Sequence, residues 1–303
     1  MQCSRRQWLQ GMLSGCTLAA LPVSLQGSML LAPDQKFRVG YQLLSWGRYY
    51  PENWWGGCRD LAALGFPGVE GESTISHLYE GRWEEFRRRM QKFELQLAAI
   101  YSTSDLQKKE ESYQNLTRNL QAAEFLQAMG GKVLVVGGSE THNPTSDDFH
   151  RLADTANELG RRALERYGIK VGFHPHLGNM IQYREDIGRL MELTDPRYFF
   201  LAPDTGHLVA GGSDPVEVFA TYGRRIVHMH FKDFDPTQPG GRGRRGRFAR
   251  LGRGTVDFPA LVSILREIDY DGWIVVEADS RSAARETALA NRRYLVNKLS
   301  LEI

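Results

Sequence analysis

From residue 37 onward, short apolar or β-branched runs alternate with longer stretches whose apolar positions recur every three to four residues. The runs fall at 39–46, 68–72, 95–102, 133–138, 170–176, 199–204, 226–233 and 273–279. Helical spacing is clearest at 83–93, 107–129, 146–167, 182–193, 258–268 and 280–299. Glycine stops follow several of these stretches, at Gly130-Gly131, after Tyr167 and after Tyr222. Strands alternating with helices predict parallel βαβ units. Eight of them match a (β/α)8 barrel, which usually takes about 250 residues. A doubly wound open sheet would place a glycine-rich phosphate turn after its first strand. Here the first run leads into Gly47-Arg48-Tyr49-Tyr50-Pro51, which has no such character. The predicted fold class is α/β, a TIM barrel spanning 34–303 as one domain.

The first 33 residues break this pattern. Arg5-Arg6 precede a modestly hydrophobic stretch interrupted by Gly11, Gly15, Pro22 and Gly27, and no charged residue follows until Asp34. Such a segment reads as a twin-arginine (Tat) signal, which predicts export and a periplasmic location. Leu13-Ser14-Gly15-Cys16 has the form of a lipobox, so a lipid anchor at Cys16 stands beside cleavage near Ala32 as an alternative. Cys3 and Cys16 belong to this segment, which leaves Cys58 without a partner and excludes a disulfide scaffold. A chain that is 42% hydrophobic and 11% aromatic can build a large core, which excludes disorder. The net charge of +2 is too even to imply nucleic acid from charge alone.

Chemistry concentrates where a barrel keeps its active site, at the C-terminal ends of the strands. Run two ends in Glu70 and Glu72, run five in His174-Pro175-His176, and run six in Asp204 with His207 three residues on. Run seven ends in His228-Met229-His230-Phe231-Lys232-Asp233, and run eight in Glu277 and Asp279. Five of the eight histidines fall in this set. Imidazole nitrogen and carboxylate oxygen donors from consecutive strands suit a divalent cation on the barrel axis, whether Mn, Zn, Co or Fe(II). Strand alternation points His228 and His230 the same way, with His230 nearer the site.

Asp204-Thr205-Gly206-His207, His228 to Asp233, the run Leu251-Gly252-Arg253-Gly254 leading to Phe258, and Gly272-Trp273 leading to Asp279 together resemble the xylose isomerase-like sugar isomerase/epimerase family. His174-Pro175-His176-Leu177-Gly178, followed by Thr194-Asp195-Pro196, is most similar to its inosose dehydratase branch. The resemblance implies a TIM barrel whose divalent metal, Mn, Zn or Co, is held by His174, Asp204, His230 and Glu277. It puts His207, His176 and Lys232 beside the substrate. Epimerases of this family usually supply a Glu from strand five, where this chain has His174, and that departure favours the dehydratase-like end.

The shared step in this family is removal of a proton α to a carbonyl, with the cation polarising the carbonyl. The expected activity is a metal-dependent isomerase or epimerase acting on a keto-sugar or keto-polyol. Alternatives are an inosose dehydratase-like or keto-glycoside lyase, and an exported sugar-binding subunit without turnover. Glu277, His207, His176 and Lys232 are the candidate catalytic residues, and Glu70, Trp46 and Arg253 the candidate substrate contacts. Trp46, with Tyr41, Trp54 and Trp55, forms either a sugar-stacking wall or ordinary packing. The expected partner is a small carbohydrate and not nucleic acid, since the extra histidines of a nuclease cluster are missing from runs one, three and four, His142 excepted. The loop from Pro239 to Gly254, with six arginines, reads as a solvated insertion or a contact for an anionic group.

Overall fold

The computed structural model describes residues 35–47, 51–139, 141, 143–240, 245–279 and 283–303. The predicted signal segment with Cys16, together with His142, Arg242 and Arg244, lies outside the described residues. Barrel strands β1 (Arg38–Gln42), β2 (Gly68–Glu72), β3 (Gln96–Thr103), β4 (Val133–Gly137), β5 (Lys170–Phe173), β6 (Phe199–Leu201) and β7 (Met229–Phe231) follow the predicted runs. A hairpin of β8 (Asp233–Pro239) and β9 (Arg245–Ala249) intervenes before the last barrel strand, β10 (Trp273–Val276). The order is β6-β5-β4-β3-β2-β1-β10-β7, with every pairing parallel. Two isolated parallel bridges, Leu201 with Ile226 and Asp204 with His230, bring β6 back to β7 and close the barrel.

The helices are α1 (Pro51–Ala63), α2 (Thr74–Leu78), α3 (Trp83–Lys92), α4 (Ser112–Met129), α5 (Ser146–Tyr167), α6 (Arg184–Leu193), α7 (Thr205–Ala210), α8 (Pro215–Tyr222), α9 (Phe258–Glu267) and α10 (Ala284–Leu299). Helix α5 shows why they form where they do. Thr145 and Asp148 make a capping box at its start, and Gly168 takes the left-handed conformation (φ 66°) past its end. Between them Phe149, Leu152, Ala156, Leu159 and Ala163 line one buried face.

Period-two alternation sorts the strand residues. Met229, Phe231, Ile274 and Val276 face the helices and join the large core between barrel and shell. Ala99, Val135, Ala202 and Val227 cluster inside the barrel. His228, His230 and Lys232 share the inward parity on β7, and Trp273, Val275 and Glu277 share it along β10.

The first predicted run is shorter than expected. The strand ends at Gln42, whose side-chain oxygen accepts the Leu44 N–H at 3.0 Å and starts a 3-10 turn over Leu43–Trp46. That turn swings Trp46 away from the barrel mouth. Its ring packs edge-on against Tyr41 and its Nε1 donates to Asp60 Oδ2 at 2.9 Å. Trp54 and Trp55 are buried, with Trp55 Nε1 donating to the Tyr79 hydroxyl at 2.8 Å. A Cβ on Gly71 would lie 1.8 Å from the Trp54 ring, so β2 needs glycine there. The four aromatics are barrel-to-shell packing, the second of the two readings left open by the sequence.

From residue 245 on, the arginine-rich segment is paired and latched rather than a solvated insertion. Asp233 and Phe234 pair with Ala249 and Phe248 across the hairpin. The fully buried Asp233 carboxylate accepts four backbone N–H groups, from Phe234 (2.9 Å), Arg253 (3.0 Å), Gly254 (2.8 Å) and Val256 (3.2 Å). A Cβ on Gly254 would stand 2.3 Å from Asp233 Oδ1 and 2.4 Å from the Phe234 carbonyl oxygen, so only glycine fits this latch. The Lys232-Asp233 and Leu251-to-Phe258 motifs are thus two halves of one structural device.

Candidate metal centre

His174 lies one residue past β5, its N–H bonded to the Val136 carbonyl at 2.8 Å. Asp204 is the N-cap of α7, and the two functions divide its carboxylate. Oδ1 accepts the His207 N–H at 2.8 Å, while Oδ2 is buried with no hydrogen bond. His230 is held in β7 by its N–H to Pro203 O (2.9 Å), and Glu277 follows β10 with its N–H on Phe231 O (3.1 Å). His230 Nδ1 stands 2.8 Å from Glu277 Oε2 and 3.8 Å from Asp204 Oδ2. Donor atoms of Asp204, His230 and Glu277 lie within 4.8 Å of one another, as do those of His174, Asp204 and His207. His174 Nδ1, Asp204 Oδ2 and His230 Nδ1 are all buried without hydrogen-bond partners. Orphaned lone pairs are costly in a dry interior. Several of them converging in a mixed nitrogen and oxygen set fit a divalent cation of the Mn, Zn or Co kind.

The charges around this cluster are strongly displaced. Burial, only partly offset by Lys232, lifts Asp204 to about 7. Burial pushes Glu277 upward too, but Lys232 and His230 outweigh it and hold the carboxyl well below the usual range. Lys232 is itself buried, donating to Glu277 Oε1 at 2.7 Å and standing 3.1 Å from Asp279 Oδ1. Burial opposes its charge, but Glu277, Asp279 and Asp204 together keep it an ammonium. Its Nζ sits 4.2 Å from the centroid of Phe248, which the hairpin carries over the site.

His176 and His207 form a close, tilted pair, ring centroids 3.7 Å apart with 34° between the planes. The Leu177 peptide reads both rings. His207 Nδ1 accepts the Leu177 N–H at 3.2 Å, which places its proton on Nε2. His176 Nδ1 lies 2.8 Å from the Leu177 carbonyl oxygen, so that nitrogen donates and Nε2 keeps a lone pair. Burial, then Lys232, lowers the pKa of both rings and keeps them neutral. Phe248 packs against His207 at 4.7 Å. Beside the pair opens a polar cavity of about 510 Å³, lined by Tyr101, Thr103, Ser139, His176, Asn179 and Glu277 among others. Asn179 is almost fully buried there, with its Nδ2 unpartnered.

The structure thus brings His174, Asp204, His230, Glu277, His207, His176 and Lys232 together, sets Trp46 and Arg253 apart from them, and places Glu70 beneath His230 rather than at the cavity. Glu70 is wholly buried, and its two oxygens face Gln42, His228 and His230 rather than the cavity. Its inward position on β2 is one layer too deep to reach a substrate. Trp46 is turned outward by the 3-10 turn. Arg253 is exposed, engaged through its backbone N–H on Asp233, and does not line the cavity. Sequence reasoning missed Gln42, Asn179 and Phe248. Only Phe248 left a signal, as the aromatic partner of Phe234 across a glycine-rich turn.

Residues 58–298 match the family described as xylose isomerase-like TIM barrel, and the chain belongs to that family. It is an enzyme of the metal-dependent sugar isomerase, epimerase and dehydratase superfamily. An inosose dehydratase of Clostridium botulinum (strain Alaska E43 / Type E3) is 32% identical over 270 residues, covering 80% of this chain and 88% of the relative. Among solved structures, the IOLI protein with a binding zinc atom superposes with a TM-score of 0.72 at 17% identity, covering 87% of this chain and 98% of that one. The 3-keto-D-glucoside 4-epimerase YcjR from E. coli, apo form, gives a TM-score of 0.67 at 22% identity, covering 85% and 99%. At these identities the two structural likenesses speak for the fold.

Proposed function

We propose that the protein is a lyase that enolises a keto-sugar or keto-polyol and then expels a β-oxygen substituent, as an inosose dehydratase does. The observation that carries this reading is the close His176–His207 pair, two neutral imidazoles of opposite tautomer beside the ligand cluster. His174, Asp204, His230 and Glu277 would hold a divalent cation, which would supply Lewis-acid polarisation of the substrate carbonyl. His176 Nε2 takes the α-proton, and the C–H electron pair becomes the carbon–carbon double bond of the enolised substrate. As the carbonyl re-forms, the β C–O bond breaks and the departing oxygen takes a proton from His207 Nε2–H. Glu277 is the poorer base, since one oxygen is bonded to Lys232 and the other faces His230 Nδ1. Lys232 stabilises negative charge on the enolised oxygen. A simple two-carboxylate epimerisation would need an acid from strand five, where His174 stands.

The test follows solvent deuterium into a panel of keto-sugars, inososes and 3-keto-glycosides by NMR. His176→Asn should slow exchange by about two to four orders of magnitude while metal content stays at the wild-type level. Undiminished exchange in that variant would remove His176 from the role of base. The twin-arginine pattern supports export to the periplasm as part of the same proposal.

A further inference from the structure

One layer below the cluster lies a second polar group that the chemistry above does not use. Glu70 is fully buried inside the barrel. Its Oε1 accepts from Gln42 Nε2 at 2.9 Å and lies 2.9 Å from His230 Nε2, and its Oε2 lies 2.5 Å from His228 Nε2. The donors are ordered in turn. Gln42 cannot flip, because its amide oxygen accepts the Leu44 N–H at 3.0 Å. His228 is fully buried inside the barrel. Glu70 thus faces three N–H donors.

We infer that Glu70, oriented by Gln42 and His228, is a positioning residue that holds the proton of His230 on Nε2, so that Nδ1 presents its lone pair to the ion. The inference rests on the metal-centre reading. A ligating imidazole with its far nitrogen bonded to a carboxylate is fixed in ring angle and tautomer and made a better donor. The two faces of His230 match that need. Nε2 points down to Glu70, and the orphaned Nδ1 points up toward Asp204 and Glu277. The donor atoms of Glu70, His228 and His230 also lie close enough to hold an ion themselves. Both imidazole nitrogens in that set donate to Glu70, however, which leaves the carboxylate alone without a ligand shell. The deep group is therefore a support and not a second centre.

Two measurements with Zn²⁺ as the probe test this. In the Zn²⁺-loaded wild-type protein, imidazole ¹⁵N NMR should show His230 protonated at Nε2 and ligating through Nδ1. Competition with a chromogenic chelator should give a Kd for Glu70→Gln raised roughly 10–100-fold, with Glu70→Asp partly restored and far-UV CD unchanged in both. Ligation through Nε2, or a Glu70→Gln Kd within twofold of wild type in the folded protein, overturns the role. If Glu70→Gln does not fold, the wild-type spectrum decides alone. Failure of the wild-type protein to bind Zn²⁺ would instead overturn the metal centre, and this role with it.

Discussion

Replacing Asp233 should loosen the roof of the site at a cost that follows from its four hydrogen bonds. In Asp233→Ala the N–H groups of Phe234 and Val256 stay buried and lose their carboxylate acceptor, at about 1–3 kcal/mol each. Those of Arg253 and Gly254 are half-buried and regain water, at roughly 0.5–1 kcal/mol each. The total, roughly 3–8 kcal/mol, is a large part of the 5–15 kcal/mol that holds a domain together. Asp233→Asn keeps one oxygen but aims an amide donor at two N–H groups, so about half that loss, ~2–4 kcal/mol, is expected. Urea denaturation gives the stability difference, and limited proteolysis reports whether the hairpin opens before the barrel does. An Asp233→Asn protein within about 0.5 kcal/mol of wild type, with the hairpin equally protected, would refute the latch.

Asp204→Asn retains the cap on α7 through its oxygen yet removes a charged ligand. It should lose most bound metal by ICP-MS, whereas Asp204→Ala should also lose about 0.5–2 kcal/mol of stability from the cap. Trp46→Phe forfeits the bond to Asp60 and should cost about 1 kcal/mol in urea without moving KM, which separates packing from sugar stacking. Phe248→Ala uncovers His207 and Lys232, and should lower kcat severalfold while metal content stays constant. Replacing Arg5 and Arg6 by lysine should leave unprocessed protein in the cytoplasm, read by fractionation and immunoblot; normal export of that variant would rule out the twin-arginine route.

The barrel was legible because short apolar runs alternate with 3.6-period stretches along most of the chain from β1 to α10. Runs five, six and eight were read as too long at their C-terminal ends, for one reason. There the chain leaves the ladder to aim His174, Asp204 and Glu277 inward, and single backbone bonds replace continuous pairing. The 3-10 turn after Gln42 was invisible because Leu43-Leu44 reads equally well as strand, and that misplaced Trp46. Glu70 could be seen as acidic and inward-facing. Its depth and its partners could not, since they depend on residues 158 and 160 positions away. The hairpin was hidden by composition, because glycine and arginine signal a loop even where Asp233 latches it down.

Seven junctions of the barrel are ladders several residues long, and the eighth, between β6 and β7, has two isolated bridges. Such a seam is where a closed sheet breathes first. Asp204 and His230 stand on its opposite lips, paired to each other by one of those bridges. An ion gripped by both is therefore a rivet as well as a reagent, and binding that favours the closed barrel stabilises it by mass action. Chelation should register as faster amide exchange around Ala202 and Val227 before any global unfolding, which makes catalytic competence and mechanical closure one quantity in this barrel.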